Sequence, residues 1–99
     1  MGIRSLKELV GVLKVLAVPL RLRIIALLAE RPMYAYEIQK RLKVSYPLVH
    51  LHLRALEAAG LVESYVVKEG ERKKRYYKVK NFRILLTPQV IRELVGDAD

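Results

Sequence analysis

The stretch that decides the fold is YEIQKRLKVSYPLVHLHLRALEAAGLVESYVVKEGERKKRYYKVK, residues 36–80. It begins with a short segment whose apolar residues lie four apart, which is the spacing of one helix face. A two-residue connector leads to Ser45, a good N-cap for the helix that follows. This second helix is predicted to end at Ala59, because Gly60 is typical of the position after a helix C-terminus.

A basic hairpin follows the two helices. Residues 61–67 are rich in β-branched and aromatic side chains, Glu69-Gly70-Glu71 predicts a turn, and residues 73–80 alternate as a strand does. Residues 68–83 carry eight Lys and Arg against two Glu, which favours a polyanionic partner, although a charge run alone is equally typical of a solvated hairpin. Two helices joined by a short turn and followed by such a hairpin form a winged helix-turn-helix.

Helices are predicted on both sides of this unit. Ser5 begins a first helix, and a second runs over residues 19–30. Residues 33–34 predict a very short strand. Residues 81–86 are extended or a short strand, and Thr87 caps a final helix that Gly96 ends.

The fold class is therefore α+β and mainly helical, in one domain over residues 1–99. Within it the helix-turn-helix occupies residues 35–59 and the hairpin, or wing, residues 61–80.

Composition limits the function classes. The chain has 99 residues, 53% of them hydrophobic, and a net charge of +9. It contains no cysteine, and His50 and His52 point apart on a helix, so we expect no metal and no cofactor. Gly-rich phosphate loops and nucleophile arrangements are absent from the sequence, so an enzyme is the least favoured class. Charges interrupt every apolar run, and we expect a cytoplasmic protein with no membrane partner.

A helical wheel divides the helix after Ser45 into two sides. Val49, Leu53 and Leu56 form a core stripe, and the opposite side is small and carries Arg54 at its centre. Arg54 can chelate a guanine edge, and cations of the wing can contact phosphates. The predicted DNA-binding residues are Ser45, Tyr46, Pro47, His50, Leu51 and Arg54 on the helix, with Lys68, Arg72, Lys73, Lys74 and Arg75 on the wing.

Each of these residues also has a structural interpretation. Arg54 can pair with Glu57 at i+3, and Leu51 is equally well an isolated surface leucine. His52, nearer the core side, is interpreted as a structural histidine. Tyr76 and Tyr77 are expected to pack the wing against the core rather than to stack on bases.

The first and last helices have more apolar surface than one small core can bury, which predicts a homodimer. The predicted dimer interface consists of Leu6, Leu9 and Leu13 in the first helix and Val90, Ile91 and Leu94 in the last.

Three segments together resemble the ArsR family of winged-helix repressors: KVLAVPLRLRIIALL at 14–28, VSYPLVHLHLRALEAAGLVES at 44–64 and EGERKKRYYKV at 69–79. The resemblance implies a homodimer built from helices at 1–18 and 87–96, and repression released by a signal. It also implies that the six helix residues from Ser45 to Arg54 named above occupy DNA-reading positions. Metal sensing does not carry over, because this chain lacks the family's cysteine pair and has no histidine in its last helix.

Other interpretations stay open at this point. PMYAYEIQKRL at 32–42 resembles the PadR branch of the same fold. A DNA-binding architectural protein with little sequence preference, or a winged-helix protein-interaction module, would share this pattern. The leading hypothesis is a sequence-specific regulator that binds a palindromic duplex site. The sequence identifies no small-molecule effector.

Overall fold

The computed structural model describes the backbone of residues 2–98 and the side chains as far as residue 96. It confirms a mainly helical α+β fold with a small sheet. The elements in chain order are α1 Leu6–Leu16, α2 Pro19–Glu30, β1 Met33–Tyr34, α3 Ala35–Leu42, α4 Tyr46–Ala58, β2 Val62–Glu69, β3 Arg72–Val79 and α5 Pro88–Ala98.

Three of the helices have a hydroxyl side chain as their N-cap. The Oγ of Ser5 accepts from the backbone N–H of Glu8 at 3.1 Å, and Oγ1 of Thr87 accepts from that of Val90 at 3.1 Å. Ser45 caps α4 in the same way. Such caps satisfy N–H groups that have no partner inside the helix, and these three were predicted from the sequence.

Residues 81–86, predicted as extended or a short strand, belong to no helix or strand. The predicted end of the last helix was wrong, because α5 does not end at Gly96 but continues to Ala98. A glycine near a helix end favours termination only when its backbone adopts positive φ. Gly96 is not among the residues with positive φ.

Left-handed backbone conformations shape the two turns around α4. Lys43 adopts φ 56°, and its N–H donates to the carbonyl of Gln39 at 2.9 Å, which ends α3. Gly60 adopts φ 76° after α4, and the N–H of Leu61 reaches back to the carbonyl of Leu56 at 3.0 Å. These turns direct the chain from α3 into α4 and from α4 into the wing.

The sheet is antiparallel in the order β1-β3-β2. Tyr77 of β3 is paired with Met33 on one side and with Ser64 on the other. Gly70, at φ 62°, lies in the two-residue turn of the wing hairpin, where a side chain would be strained. Met33 and Tyr77 are both buried, so this face of the sheet covers the core.

One core fixes the position of α4. Val49, Leu53 and Leu56 are fully buried, as the helical wheel predicted. They pack in one cluster with residues of α2, α3 and the sheet. Its members include Ile24, Ile38, Tyr77 and Leu61, which directly precedes β2. Burial of three aliphatic side chains at helical spacing sets the rotation of α4 and leaves its opposite side outward.

Helices α1 and α5 pack against each other outside this core. Leu9 and Leu94 are buried but do not belong to the main cluster, whereas Val15 and Leu16 at the end of α1 pack against it. The molecule measures 54 × 25 × 20 Å with a radius of gyration of 15.8 Å. A compact domain of this length has a radius of about 13 Å, so the molecule is elongated.

Candidate nucleic-acid interface

The outward side of α4 presents the residues predicted to contact DNA. Leu51 is 57% exposed, and Tyr46, Pro47 and Arg54 are also exposed. His50 is half-buried, with its ring 4.6 Å from that of Tyr46 in an edge-on arrangement. The helix therefore offers one cation, aromatic groups and one apolar side chain on a surface narrow enough to enter a major groove.

Arg54 does not pair with Glu57, the partner that the spacing allowed. Ser64 of β2 donates its hydroxyl to Glu57 Oε2 at 2.7 Å. The same Ser64 Oγ accepts from Arg75 Nη1 at 3.0 Å. Within the described part of the chain, the ion pairs join other residues, and Arg54 is in none of them.

The Glu57–Ser64–Arg75 chain of hydrogen bonds links the recognition helix to the wing. Glu57 lies on α4, Ser64 on β2 and Arg75 on β3. The guanidinium of Arg75 is thus held beside α4 rather than free to sample all its rotamers. Sequence reasoning missed Glu57 and Ser64 in this role, since their contact spans seven residues and depends on how β2 leaves the helix.

The wing has two chemically different faces. Lys73 and Arg75 alternate with buried Tyr77, so they lie on the face that α4 shares, and Lys68 is paired with Lys73 across the hairpin. Arg72 and Lys74 lie on the opposite face. The sequence treated these five cations as one group, and the strand register separates them.

Carboxylates compensate charge on the outer face. Lys74 Nζ lies 3.4 Å from Glu69 Oε2, and Lys78 Nζ lies 3.2 Å from Glu63 Oε1. The hydrogen bond with Glu69 raises the pKa of Lys74 above its usual value. The Tyr76 hydroxyl donates to Glu69 Oε1 at 3.0 Å, and this bond raises the pKa of Tyr76. Among the described residues, the three inner-face cations Lys68, Lys73 and Arg75 are in no ion pair, and on the outer face Arg72 is in none either.

A cleft of about 500 Å³ lies between α4, β3 and the start of α3. Basic and aromatic side chains dominate its walls, and Glu57 is the one carboxylate among them within the described residues. The lining residues are Tyr34, Ala35, Tyr36, Tyr46, His50, Arg54, Glu57, Lys73, Lys74, Arg75 and Tyr77. Tyr34 and Tyr36 were absent from the predicted site, although two aromatic residues at the start of a helix-turn-helix were a usable signal.

His52 lies on the other side of α4 and is structural, as predicted. Its Nδ1 accepts from Arg21 Nε at 2.9 Å, and Arg21 Nη1 donates to the carbonyl of Val15 at 3.2 Å. Burial, with a smaller contribution from the charge of Arg21, lowers the pKa of His52. His52 therefore stays neutral and ties α4 to the end of α1.

The structure corrects part of the expected dimer surface. Leu9 and Leu94 are already buried within one chain, so they have little area left for a partner. Leu13 is 40% exposed and Ile91 is exposed, while Leu6 and Val90 are half-buried. Four apolar residues that the prediction omitted are also exposed: Val10, Leu85, Leu86 and Val95.

Two further observations concern the described residues as a whole. None of the helices between residues 2 and 98 combines the length and apolarity needed to cross a membrane. No three His, Asp or Glu side chains in that part of the chain converge as metal ligands would.

Comparisons with known proteins agree with this geometry. The family model described as "Bacterial regulatory protein, arsR family" matches residues 18–64. A protein of Methanocaldococcus jannaschii, described as an uncharacterized HTH-type transcriptional regulator, is 42% identical over 90 residues. These cover 88% of this chain and 95% of that protein.

Solved structures of the same fold include regulators from several organisms. The homodimeric winged helix-turn-helix DNA-binding domain of a possible ArsR-family regulator from Mycobacterium bovis has a TM-score of 0.65 at 26% identity, covering 99% of this chain and 87% of that one. An ArsR-like regulator from Rhodococcus has a TM-score of 0.63 at 28% identity, covering 92% and 76%. A PadR-family regulator from Clostridium difficile, with a TM-score of 0.59 at 20% identity over 80% and 82%, shares the fold alone.

Proposed function

The chain belongs to the ArsR family of winged helix-turn-helix transcriptional regulators, and from that premise we propose that it is a homodimeric repressor that binds a palindromic duplex operator in the cytoplasm. Regulators of this family are DNA-binding proteins rather than enzymes. The proposal has three parts: the protein prefers one DNA sequence, it binds that sequence as a two-fold symmetric dimer, and binding represses transcription.

One observation carries the proposal of sequence-specific reading. Among the described residues Arg54, on the exposed side of α4, is in no ion pair, and Glu57 is bound instead by Ser64 of the wing. A bidentate contact from such an arginine to the O6 and N7 of guanine distinguishes that base from the other three. Leu51, exposed one turn earlier on the same side, can contact a thymine methyl group.

The rest of the predicted interface supplies affinity. Lys68, Lys73 and Arg75 share the face of the wing that adjoins α4, so they can contact phosphates while α4 lies in the groove. Ser45, Tyr46, Pro47 and His50 surround the N-terminal end of α4, where the helix dipole and free backbone N–H groups favour phosphate. Arg72 contributes less because it lies on the outer face of the wing, and Lys74 contributes less because its ammonium group is paired with Glu69.

Dimerisation is supported by the apolar surface that one chain leaves open. Leu13, Val10, Ile91 and Val95 are all exposed on α1 and α5, two helices that pack against each other. A two-fold interface that pairs these helices buries the surface and separates the two recognition helices symmetrically. The related M. bovis domain is described as homodimeric. A symmetric dimer implies a palindromic operator, and occupation of that operator would exclude polymerase.

Selection of binding sequences from a random duplex pool, followed by competition at two salt concentrations, tests the proposal. We expect one palindrome to be preferred by about 10³-fold or more over random duplex. An architectural protein would show no preference, and a protein-interaction module would bind duplex only feebly. Either result would contradict the proposal.

Two variants separate reading from affinity. Arg54→Ala should cost about 1–3 kcal/mol on the selected site and little on random duplex. Lys73→Ala should weaken binding to every sequence alike and reduce the slope of log K against log salt by about 0.9. If both variants behaved identically, this division of roles between α4 and the wing would be wrong.

A further inference from the structure

Four tyrosine rings form a continuous row on the outside of the sheet. Tyr65, Tyr76 and Tyr34 are neighbours across the three strands, in exact register. The Tyr65 and Tyr76 rings stack with centroids 5.9 Å apart, and Tyr34 meets Tyr76 edge-on at 5.7 Å. Tyr36, in the first turn of α3, stacks on Tyr34 at 6.4 Å. The stacked rings of the sheet hold the ring of Tyr36 in position before any ligand binds.

Two lysines lie over the faces of the last two rings. Lys74 Nζ is 4.6 Å from the centroid of Tyr34, and Lys40 Nζ is 5.2 Å from that of Tyr36. Lys74 also pairs with Glu69, whereas Lys40 is in none of the ion pairs of the described residues. A ring face attracts an ammonium group without using up its N–H donors, so Lys40 is an ordered cation whose hydrogen bonds remain available.

This end of the row opens into the cleft that holds the predicted reading residues. Tyr34, Tyr36 and Lys74 line it together with Tyr46 and Arg54. Tyr36 is 50% exposed, and within the described part of the chain its hydroxyl makes no hydrogen bond. Tyr65, at the far end, does not line the cleft.

We propose that Tyr36 and Lys40, held in place by Tyr34, form a second phosphate-contact site on the α3 side of the cleft. Its ligand is the sugar–phosphate backbone of the same duplex whose groove α4 enters. Tyr36 donates its hydroxyl to a phosphate oxygen, and Lys40 supplies charge. The inference rests on the proposed DNA-binding function and extends the interface from α4 and the wing to α3.

The chemistry favours a backbone phosphate over other ligands. A hydroxyl donor beside an ammonium group matches an oxyanion, and phosphate contacts are made by tyrosine and lysine side chains together. Tyr34 and Tyr36 line both the cleft and the adjoining pocket that holds Lys40, so one backbone can pass from α4 along these rings to α3. The carboxylate of that pocket, Glu37, is already paired with Arg31. Such contacts fix the position of the protein on the duplex and carry no base preference.

Tyr36→Phe, Lys40→Gln and Lys40→Arg test the site, with Tyr65→Phe as a matched control in the same row. Tyr36→Phe should weaken binding about tenfold, equally on selected and random duplex, without changing the salt slope. Lys40→Gln should reduce that slope by about 0.9, and Lys40→Arg should restore it. Tyr65→Phe should bind as the unchanged protein does.

Ethylation interference on the selected duplex locates the contact. Ethylating one phosphate should weaken binding of the unchanged protein and have no further effect on the Tyr36→Phe/Lys40→Gln double variant, which makes neither contact. If Tyr36→Phe and Lys40→Gln both matched the Tyr65→Phe control while the unchanged protein bound duplex, the second phosphate site would be refuted and the proposed function would stand. If the unchanged protein failed to bind duplex, the proposed function itself would fail.

Discussion

Replacing Ser64 with alanine should uncouple the wing from the recognition helix. The change removes one oxygen and with it two hydrogen bonds, the 2.7 Å bond to Glu57 and the 3.0 Å bond from Arg75. Both bonds lie at the surface, where water replaces a lost partner. The free energy of unfolding should therefore fall by no more than about 1 kcal/mol.

The effect on DNA binding should exceed the effect on stability. An arginine that is ordered only on binding loses up to about 2 kcal/mol of rotamer entropy, which Ser64 removes in advance for Arg75. The released Glu57 also becomes free to pair with Arg54 at i+3 and to compete with the duplex for it. Together these effects predict a loss of about 1–2 kcal/mol, which is roughly five- to thirtyfold in affinity.

Fluorescence anisotropy with a labelled duplex measures this loss, and urea unfolding of the same samples measures stability. Ser64→Thr is the control, because it keeps the hydroxyl and suits a β-strand. The reasoning would be refuted if Ser64→Ala bound as tightly as the unchanged protein, or if Ser64→Thr were as weak as Ser64→Ala.

Three further changes test separate parts of the structure. Burial lowers the pKa of His52, so below about pH 6.5 the unfolded chain binds a proton at this residue more readily than the folded chain does. The urea midpoint should therefore fall as the pH drops below about 6.5, and His52→Gln should flatten this dependence. Leu13→Glu places a charge on the exposed apolar side of α1, so light scattering should give the mass of one chain while the free energy of unfolding changes little. Leu9→Ala should instead lower the free energy of unfolding of the chain itself by about 2–5 kcal/mol. If the two variants had the same effects on mass and on unfolding, the assignment of the two faces would be wrong. Glu57→Gln keeps an acceptor for Ser64 while removing the carboxylate charge from the cleft, so it should tighten binding to all duplexes by about two- to fivefold; weaker binding would show that the charge is needed to hold the wing.

The helical part of the fold could be predicted because its signals are local. Hydroxyl caps at Ser5, Ser45 and Thr87 each act within three residues, and the burial of α4 follows from its apolar spacing. The structural role of His52 was also visible, since the wheel placed it near the core. Its partner Arg21 was not, because the two residues are 31 positions apart and meet only when α2 packs on α4.

In α1, the apolar spacing predicts which side of the helix is buried but not which helix covers it. The apolar stripe of α1 predicted a second helix against it, and the sequence assigned that helix to another chain. In the structure α5 of the same chain covers Leu9, and the part of the stripe that includes Leu13 remains open. Periodicity cannot distinguish these two outcomes, because burial by either helix requires the same residues.

Strand alternation explains why the basic run does not present one uniform surface. Five cations of the wing are close in sequence, but a strand turns successive side chains to opposite faces. Burial of Tyr77 fixes which face meets α4, and this places Arg75 and Lys73 on that face and Lys74 on the face of Glu69. One buried tyrosine thus divides the cations of the run between two faces, and the same alternation turns Tyr76 outward into the row that positions Tyr36. The two proposed phosphate-contact regions, one on the wing and one beside α3, both follow from the register of a single strand.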